Sequence, residues 1–341
     1  MANTNKNKLD KNMDIRILTR SLLLATILML SACGDSDNSS NTVKTGIQPT
    51  LDETLDQAIN ANINDNQAGL TVSVWQDGEI LYSGMKGLAR QDVAIGENTS
   101  FRLASVSKVF TAVAVMSLYE QGIINLEDSI LNYIPELDES WREISIHYLL
   151  SHQSGIPDFY NDLNAPSILP NGITNSNIVN YFSQYPSLEF SPGTGADYSN
   201  SGYVLLAEII ERVSSLTFPQ FMQEHIFTKL DMHGSYILDE NAQYHSDTAF
   251  NKAQSPLIYG IEFYASGTAS QVSTAYDLGK FFNALLSEQI LQPESLELML
   301  TAHADVGGSY GYGIGHLNGS LNVYSHTGLN DGFRSIFVIN K

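Results

Sequence analysis

A long apolar helix with a serine and a lysine at its start places the strongest constraint on the fold of this chain. From Val109 to Tyr119, apolar residues fall on almost every side of a helix, and a helix that is apolar all round is a buried one. Gly122 follows as a typical helix end. The sequence therefore predicts a fold that is organised around this helix.

Ser105 and Lys108 lie three residues apart, immediately before the apolar segment. If Ser105 opens the helix, this spacing places both side chains on one face, one turn apart. The serine hydroxyl would then lie at the positive end of the helix dipole, and a buried lysine with a lowered pKa could accept its proton. By itself a Ser-x-x-Lys pair is a weak signal, because it also fits a helix start with a solvated lysine.

Residues 1–32 have the pattern of a secretory signal peptide: basic residues, then the apolar run Leu22–Leu30, then small residues. The sequence Leu30-Ser-Ala-Cys33 resembles a bacterial lipobox, which implies cleavage before Cys33 and lipidation of its thiol. We therefore expect an exported protein that is lipid-anchored to the bacterial cell envelope, at the outer membrane, on its periplasmic or its outer side. The alternative is an ordinary signal peptide with an incidental cysteine. Residues 33–49 are small and polar and predict a flexible tether.

Charge and motif content exclude several classes of partner. The chain has a formal net charge of −20, which argues against nucleic acid and against binding anionic lipid through a basic surface. It has no phosphate-binding Gly-Lys pattern and no His or Cys spacing typical of a zinc site. We therefore expect neither a metal nor an organic cofactor.

The rest of the chain alternates between helix and strand patterns. Helical periodicity covers 51–63, and alternating strands at 69–75 and 79–84 flank the hairpin turn signal Asp77-Gly78. A helix and a hairpin followed by the Ser105 helix predict an antiparallel sheet with helices packed on it. Further helices are predicted over 144–150, 203–213, 217–230 and 275–286, and further strands over 310–315, 321–328 and 333–339. We expect the Asn- and Pro-rich loop 158–174 to shape access to a site.

Turn-forming residues between Phe190 and Gly202 hold two further polar side chains close to a helix start. Tyr198 can transfer a proton if a nearby ammonium lowers its phenol pKa, and the amide oxygen of Asn200 can accept from that ammonium. The alternative is a purely structural turn. His152 is a second candidate base, but a role in positioning a loop is favoured because Lys108 already supplies a base.

Three motifs occur in a fixed order: Ser105-Val-Ser-Lys108, Tyr198-Ser-Asn200 and His326-Thr-Gly328. Together they resemble the serine β-lactamase and penicillin-binding protein superfamily, in the branch that holds class C β-lactamases, D-alanyl-D-alanine carboxypeptidases and related esterases. The resemblance runs from about residue 50 to the end and implies one hydrolase domain over 50–341. The implied fold is α+β, an antiparallel sheet flanked by helices with a helical insertion at about 104–250.

The resemblance also implies catalytic roles. Ser105 would be the acylated nucleophile, Lys108 and Tyr198 would share the proton transfers, and Asn200 would orient Lys108. It leaves open whether Lys108 or Tyr198 is the base.

The third motif would line the cleft on an edge strand. Thr327 would contact the substrate beside His326 and Gly328, and the backbone N–H groups of Ser105 and Leu329 would form the oxyanion hole. His326 departs from the lysine of most β-lactamases of this type, which favours a carboxypeptidase or esterase. Because histidine has an ordinary pKa near 6.5, we expect carboxylate-bearing substrates to bind more weakly as the pH rises past it.

The chain ends at Lys341, directly after the predicted strand 333–339, whereas relatives continue with another strand and a helix. We therefore expect a truncated domain with an unpaired apolar edge at 336–339 and poor expression of this chain.

The sequence favours a lipid-anchored serine hydrolase that forms an acyl-enzyme on Ser105. Its substrate would be a D-alanyl-D-alanine peptide of peptidoglycan, or a small ester or amide of similar shape. The alternatives are an esterase on small esters, a class C-type β-lactamase and a non-catalytic penicillin- or peptidoglycan-binding domain.

Overall fold

The structure is a computed structural model that describes residues 49–160, 173–238, 244–250, 265–330 and 332–341. The predicted signal peptide, Cys33 and the tether up to residue 48 lie outside the described residues, as does most of the predicted access loop.

The N-terminal part is a helix followed by a hairpin, as the sequence predicts. Helix α1 covers Leu51–Asn62, and the hairpin turn at Asp77 and Gly78 has positive φ at both residues, as a tight two-residue turn requires. The strands here are β1 (Leu70–Gln76), β2 (Glu79–Lys86), β3 (Leu88–Arg90), β4 (Val93–Ala94) and β5 (Phe101–Arg102).

The segment with Ser105 and Lys108 forms two kinds of helix. Ala104–Val106 is a single 3-10 turn, and helix α2 then runs over Ser107–Glu120 with nearly every side chain buried. The α-helix therefore begins two residues after Ser105. Ala104 has a φ of +49°, a left-handed conformation that an α-helix of L-residues cannot continue through.

Four of the helices that the structure describes follow α2 in the chain. They are α3 (Ile146–Leu150), α4 (Asn175–Gln184), α5 (Asn200–Ser214) and α6 (Phe218–Met222), the last followed by a π-helical turn over Gln223–Phe227. One of them, α5, packs on α2 and also contacts the other three. Helix α5 begins at Asn200, three residues before its predicted start. Helix α4 has no counterpart in the sequence prediction, because its serine, asparagines and β-branched residues are weak helix formers.

The C-terminal part returns to the sheet. Its helices are α7 (Ala275–Leu286), as predicted, and α8 (Pro293–Leu300), which was not predicted. Its strands are β6 (Tyr236–Ile237), β7 (Gln271–Ser273), β8 (Ala304–Asp305), β9 (Ser309–Tyr310), β10 (Gly315–His316), β11 (Val323–Asn330) and β12 (Phe333–Asn340). The prediction of one strand over 310–315 is wrong, because Gly313 has a φ of +71° and divides the segment into two short strands.

The strands form antiparallel sheets, which confirms the predicted α+β class. The largest has the order β12-β11-β10-β9-β8, and the others are β1-β2, β3-β4 and β5-β7-β6. Strand β10 pairs with β11 only at Tyr324 and Ser325. Within the described part of the chain, β11 from His326 onward is therefore paired on one side only, with β12. Strand β12 forms the outer edge of this sheet, and its Ile336 is 47% exposed.

Across the described ranges, every helix is too short or too polar to cross a lipid bilayer.

The packing of Phe110 tests whether α2 is the centre of the core. Its ring is fully buried and stacks on Phe281 with 3.7 Å between the ring centroids. We expect Phe110→Ala to lower the free energy of unfolding by about 3–5 kcal/mol, because it leaves a cavity that the surrounding helices cannot fill. Tyr119→Ala, on the same helix but 37% exposed, should cost about 1 kcal/mol or less. Equal midpoint shifts of both variants in urea denaturation would contradict a core centred on α2.

Candidate active site

Ser105 is presented at the amino end of α2 by a tightly packed turn. It lies half-buried in the middle of the 3-10 turn Ala104–Val106. Strand β11 passes so close to this turn that a Cβ on Gly328 would lie 2.1 Å from the carbonyl oxygen of Leu103. The Ser335 hydroxyl of β12 donates to the same oxygen at 2.5 Å. These contacts fix Ser105 at the junction of α2 and the open edge of β11.

Lys108 lies one turn further along and is completely buried. Its Nζ is 3.4 Å from Ser105 Oγ, 2.7 Å from Asn200 Oδ1, 2.7 Å from Thr268 Oγ1 and 3.1 Å from the Thr268 carbonyl oxygen. Burial lowers the pKa of this amine from 10.5 to about 7, against the opposing effect of Asp158. A fraction of the lysine is therefore a neutral amine at neutral pH, within reach of the serine hydroxyl.

Asn200 is the first residue of α5 and connects Lys108 to a half-buried carboxylate, that of Asp158. Its Nδ2 donates to Asp158 Oδ2 at 2.7 Å, and its Oδ1 accepts from Lys108 and from the Thr268 hydroxyl at 2.6 Å. Burial raises the pKa of Asp158, while hydrogen bonds from Tyr160 N–H and Asn200 lower it.

Tyr198 lies beside the same amine, but its phenol pKa is not lowered, although a lowered pKa is the condition under which this residue was expected to transfer a proton. Burial raises the pKa of the phenol above its ordinary value of 10, and the influence of Ser105 opposes this only in part. The Lys108 ammonium lies 4.8 Å from the centre of the tyrosine ring. The Tyr198 hydroxyl completes no hydrogen bond of normal geometry within the described structure. Tyr198 is thus a protonated phenol at neutral pH.

His152 supports the turn that carries Tyr198. Its Nδ1 accepts from Ser199 N–H at 3.2 Å, and its carbonyl oxygen accepts from Asp197 N–H at 3.0 Å. Its ring lies 4.5 Å from the Tyr198 ring, centre to centre. Burial holds the pKa of His152 well below 6.5. These contacts are those of a loop-positioning histidine, the role that the sequence favoured.

His326 is 9% exposed. Its imidazole ring contacts the side chain of Tyr310 on one side and the backbone of β11 on the other. Its Nδ1 is 2.7 Å from the Thr327 carbonyl oxygen and its Nε2 is 3.0 Å from the Tyr310 hydroxyl. Because a carbonyl can only accept, Nδ1 carries the hydrogen and Nε2 accepts from the tyrosine. Burial, assisted by the charge of Lys108, lowers the pKa of His326 to about 4. The expected change in its charge near pH 6.5 is therefore absent from this structure.

Beyond His326, residues of β11 alternate between solvent and the interior. Thr327 and Leu329 are exposed, Leu329 by 61%, whereas His326 and Gly328 on the alternate positions are buried. The predicted contact of Thr327 with substrate and the predicted oxyanion hole at the N–H groups of Ser105 and Leu329 stay predictions.

Two residues that contact this network were missed in the sequence, Asp158 and Thr268. Thr268 lies in a Gly- and Ser-rich segment that reads as a simple connection. The signal was Gly267, which has a φ of +91° and where a Cβ would lie 2.4 Å from the Tyr203 carbonyl oxygen. A glycine at such a close approach brings the next residue against α2 and α5.

Metal sites and cavities are the other features of the described residues that bear on function. In the part of the chain that the structure describes, no group of three or more His, Cys, Asp or Glu side chains is arranged to hold a metal ion. A cavity of about 550 Å³ lies between the β1–β2 hairpin and the start of α7, with Ser73, Ser83 and Tyr276 in its wall. It includes neither Ser105 nor Lys108.

Comparisons with known proteins find a matching family and several relatives. The sequence model of the Beta-lactamase family matches residues 53–341. The chain is 27% identical over 294 residues to penicillin-binding protein 4* of Bacillus subtilis (strain 168), covering 79% of this chain and 64% of that protein. It is 29% identical over 234 residues to a beta-lactamase of Yersinia enterocolitica, covering 67% of this chain and 56% of that protein.

The fold also matches a solved structure. The penicillin-binding protein from Bacillus halodurans superimposes with a TM-score of 0.67 at 22% identity, over 80% of this chain and 87% of that one. The chain spans less than two thirds of the length of both curated relatives.

The hydrogen bonds of His326 give a test of its charge. With a pKa near 4, the imidazole is neutral throughout pH 5.5–8, since a histidine is protonated only below its pKa. We expect the ratio of the KM of a carboxylate-bearing substrate to that of a neutral one to stay constant across this range. His326→Lys, which introduces a permanent charge, should lower the KM of the anionic substrate alone. A ratio that rises about tenfold from pH 5.5 to 8 in the unchanged protein would contradict a neutral His326.

Proposed function

Because the chain belongs to the Beta-lactamase family, we propose that it is a serine hydrolase that forms an acyl-enzyme on Ser105. The observation that carries the proposal is the buried Lys108 amine, which lies 3.4 Å from Ser105 Oγ with its pKa lowered to about 7. A serine hydroxyl is a weak nucleophile unless a neighbouring base removes its proton. Lys108 meets this requirement in both distance and protonation state.

The proposed acylation step follows from these groups. Ser105 Oγ attacks the substrate carbonyl carbon while its proton passes to neutral Lys108. The carbonyl oxygen becomes an oxyanion, and the N–H groups of Ser105 and Leu329 are proposed to stabilise it. When the bond to the leaving group breaks, the leaving group takes a proton from Tyr198, which is replenished from Lys108. Water then attacks the acyl-enzyme in the same way and releases Ser105.

The pKa values favour Lys108 over Tyr198 as the base. A general base works best when its pKa lies close to the working pH. The pKa of Lys108 is about 7, whereas burial moves that of Tyr198 further above 10. The raised pKa suits Tyr198 to holding a proton and donating it to a leaving group.

For the substrate, we propose an acyl compound of the D-alanyl-D-alanine peptide type, or a small ester or amide of similar shape. The names of the relatives, a penicillin-binding protein and a beta-lactamase, support acyl transfer from such compounds. One observation favours the second candidate, an esterase on neutral small esters: His326, the residue expected to attract a substrate carboxylate, is neutral and already paired. Neutral esters do not need that charge.

Intact-protein mass with a penicillin tests the proposed nucleophile. We expect a covalent adduct with the unchanged protein and none with Ser105→Ala, because Ser105 Oγ is the hydroxyl that the proposed base Lys108 activates. Ser107→Ala is the matched control, since the Ser107 hydroxyl is engaged with Gln271 N–H at 3.1 Å and should leave the adduct intact.

The time course of that adduct distinguishes the activities. A persistent adduct favours a D,D-peptidase, and consumption of the drug without an adduct indicates a β-lactamase. An intact drug combined with hydrolysis of a neutral ester indicates an esterase. An adduct that survives in Ser105→Ala, or no turnover and no adduct with any of these compounds, would contradict the proposal.

The pKa of Lys108 predicts the pH profile. Because the base must be neutral, kcat/KM for a neutral ester should fall about tenfold per pH unit below about pH 7. Lys108→Arg should lose roughly 100-fold or more, since a guanidinium stays protonated at every working pH. A profile that is flat from pH 5 to 8, or substantial activity of Lys108→Arg, would show that Lys108 is not the base.

A further inference from the structure

The carboxylate of Asp158 fixes which way the Asn200 amide points. Asn200 Nδ2 donates to Asp158 Oδ2 at 2.7 Å, and Tyr160 N–H donates to Asp158 Oδ1 at 3.0 Å. An ionised carboxylate only accepts hydrogen bonds, so the amide nitrogen has to face Asp158. The amide oxygen therefore faces Lys108, and a rotated amide would direct two N–H groups at the amine instead.

Thr268 completes the surroundings of the amine. Its hydroxyl donates its single hydrogen to Asn200 Oδ1 at 2.6 Å, which leaves its lone pairs to accept from Lys108 Nζ at 2.7 Å. A neutral amine has two hydrogens and one lone pair. Asn200 Oδ1, the Thr268 hydroxyl and the Thr268 carbonyl oxygen, the last at 3.1 Å, share the two hydrogens, and the lone pair is left for Ser105 Oγ.

We propose that Asp158 and Thr268 are positioning residues that hold the Lys108 amine with its lone pair toward Ser105. Asp158 acts by fixing the orientation of the Asn200 amide, and Thr268 acts by accepting an amine hydrogen. The inference rests on the proposed roles of Ser105 and Lys108 as nucleophile and base. It assigns a function to two side chains that neither attack the substrate nor accept the proton of Ser105.

Asp158 is the group near Lys108 that carries a negative charge. The titratable groups that face the amine are Asp158, Tyr198, Tyr203, His152 and His326. Burial raises the pKa of both tyrosines and lowers that of both histidines. All four are therefore neutral at pH 7, and Asp158 supplies the negative charge of this group. Its removal should make the Lys108 amine easier to deprotonate but less well oriented.

The test measures the rate at which Ser105 reacts with a fluorophosphonate, as a function of pH, in the full-length protein. In this reaction a bond forms from Ser105 Oγ to phosphorus, fluoride leaves, and Lys108 takes the hydroxyl proton. We expect Thr268→Val and Asp158→Asn each to slow the reaction roughly 10- to 100-fold at pH 8, the usual cost of misplacing a reacting group. The acid limb of the profile should move to lower pH in both variants.

Matched controls separate positioning from folding. Thr268→Ser keeps the hydroxyl and should restore a rate close to that of the unchanged protein. Thr301→Val and Asp65→Asn make the same chemical changes at exposed positions and should leave rate and profile unaltered. Normal rates and an unmoved acid limb in Thr268→Val and Asp158→Asn would overturn the proposal.

A second readout does not depend on reactivity. In protein labelled with carbon-13 at the lysine ε-carbon, we expect the Lys108 signal to titrate near pH 7. The signal is assigned by its absence in Lys108→Ala. We expect its pKa to fall in Asp158→Asn and Thr268→Val, because each change removes a group that stabilises the ammonium. If the unchanged protein does not react with the fluorophosphonate, the proposed function fails. The titration still decides the inference, and an unchanged pKa in both variants would overturn it.

Discussion

The burial of the Lys108 amine is the constraint on which the rest of the site depends. A pKa lowered from 10.5 to about 7 corresponds to roughly 5 kcal/mol by which the interior disfavours the charged form. A buried amine also needs an acceptor for each of its hydrogens. The folded protein therefore needs Asn200 and Thr268 as acceptors for the buried amine, whether or not the amine takes part in a reaction. The same burial that costs stability makes the lysine a base near neutral pH.

Elements far apart in the sequence converge on that amine, and small residues make the convergence possible. Thr268 reaches Lys108 across 160 positions because Gly267 lets its segment lie directly on α5. Gly328 likewise lets β11 lie on the turn before Ser105, where a single methyl group would collide with Leu103. A rigid site results, since each segment is held by backbone contact and not by long side chains.

Local spacing and motif order were enough to predict the first members of the site, but not their surroundings. Ser105 and Lys108 share a face because three residues separate them, whatever the rest of the chain does. The participation of Thr268 depends on how two distant segments pack, and Gly267 in the sequence does not show which segment it approaches. Helix α4 escaped prediction because its stability comes from burying Ile178 and Phe182, not from propensity. The raised pKa of Tyr198 follows from burial of the phenol, and a motif does not show how deeply its residues are buried.

The neutrality of His326 connects the fold to substrate choice. A histidine at the cleft strand would attract a carboxylate only if its protonated form had acceptors for both N–H groups. Here Nε2 already accepts from the Tyr310 hydroxyl. Protonation of Nε2 would point its N–H at the O–H hydrogen of Tyr310, which is unfavourable unless the hydroxyl rotates away. The charge of Lys108 opposes protonation further. In the proposed site, recognition along β11 would therefore depend on backbone hydrogen bonds and shape, because His326 provides no ionic partner for a substrate carboxylate.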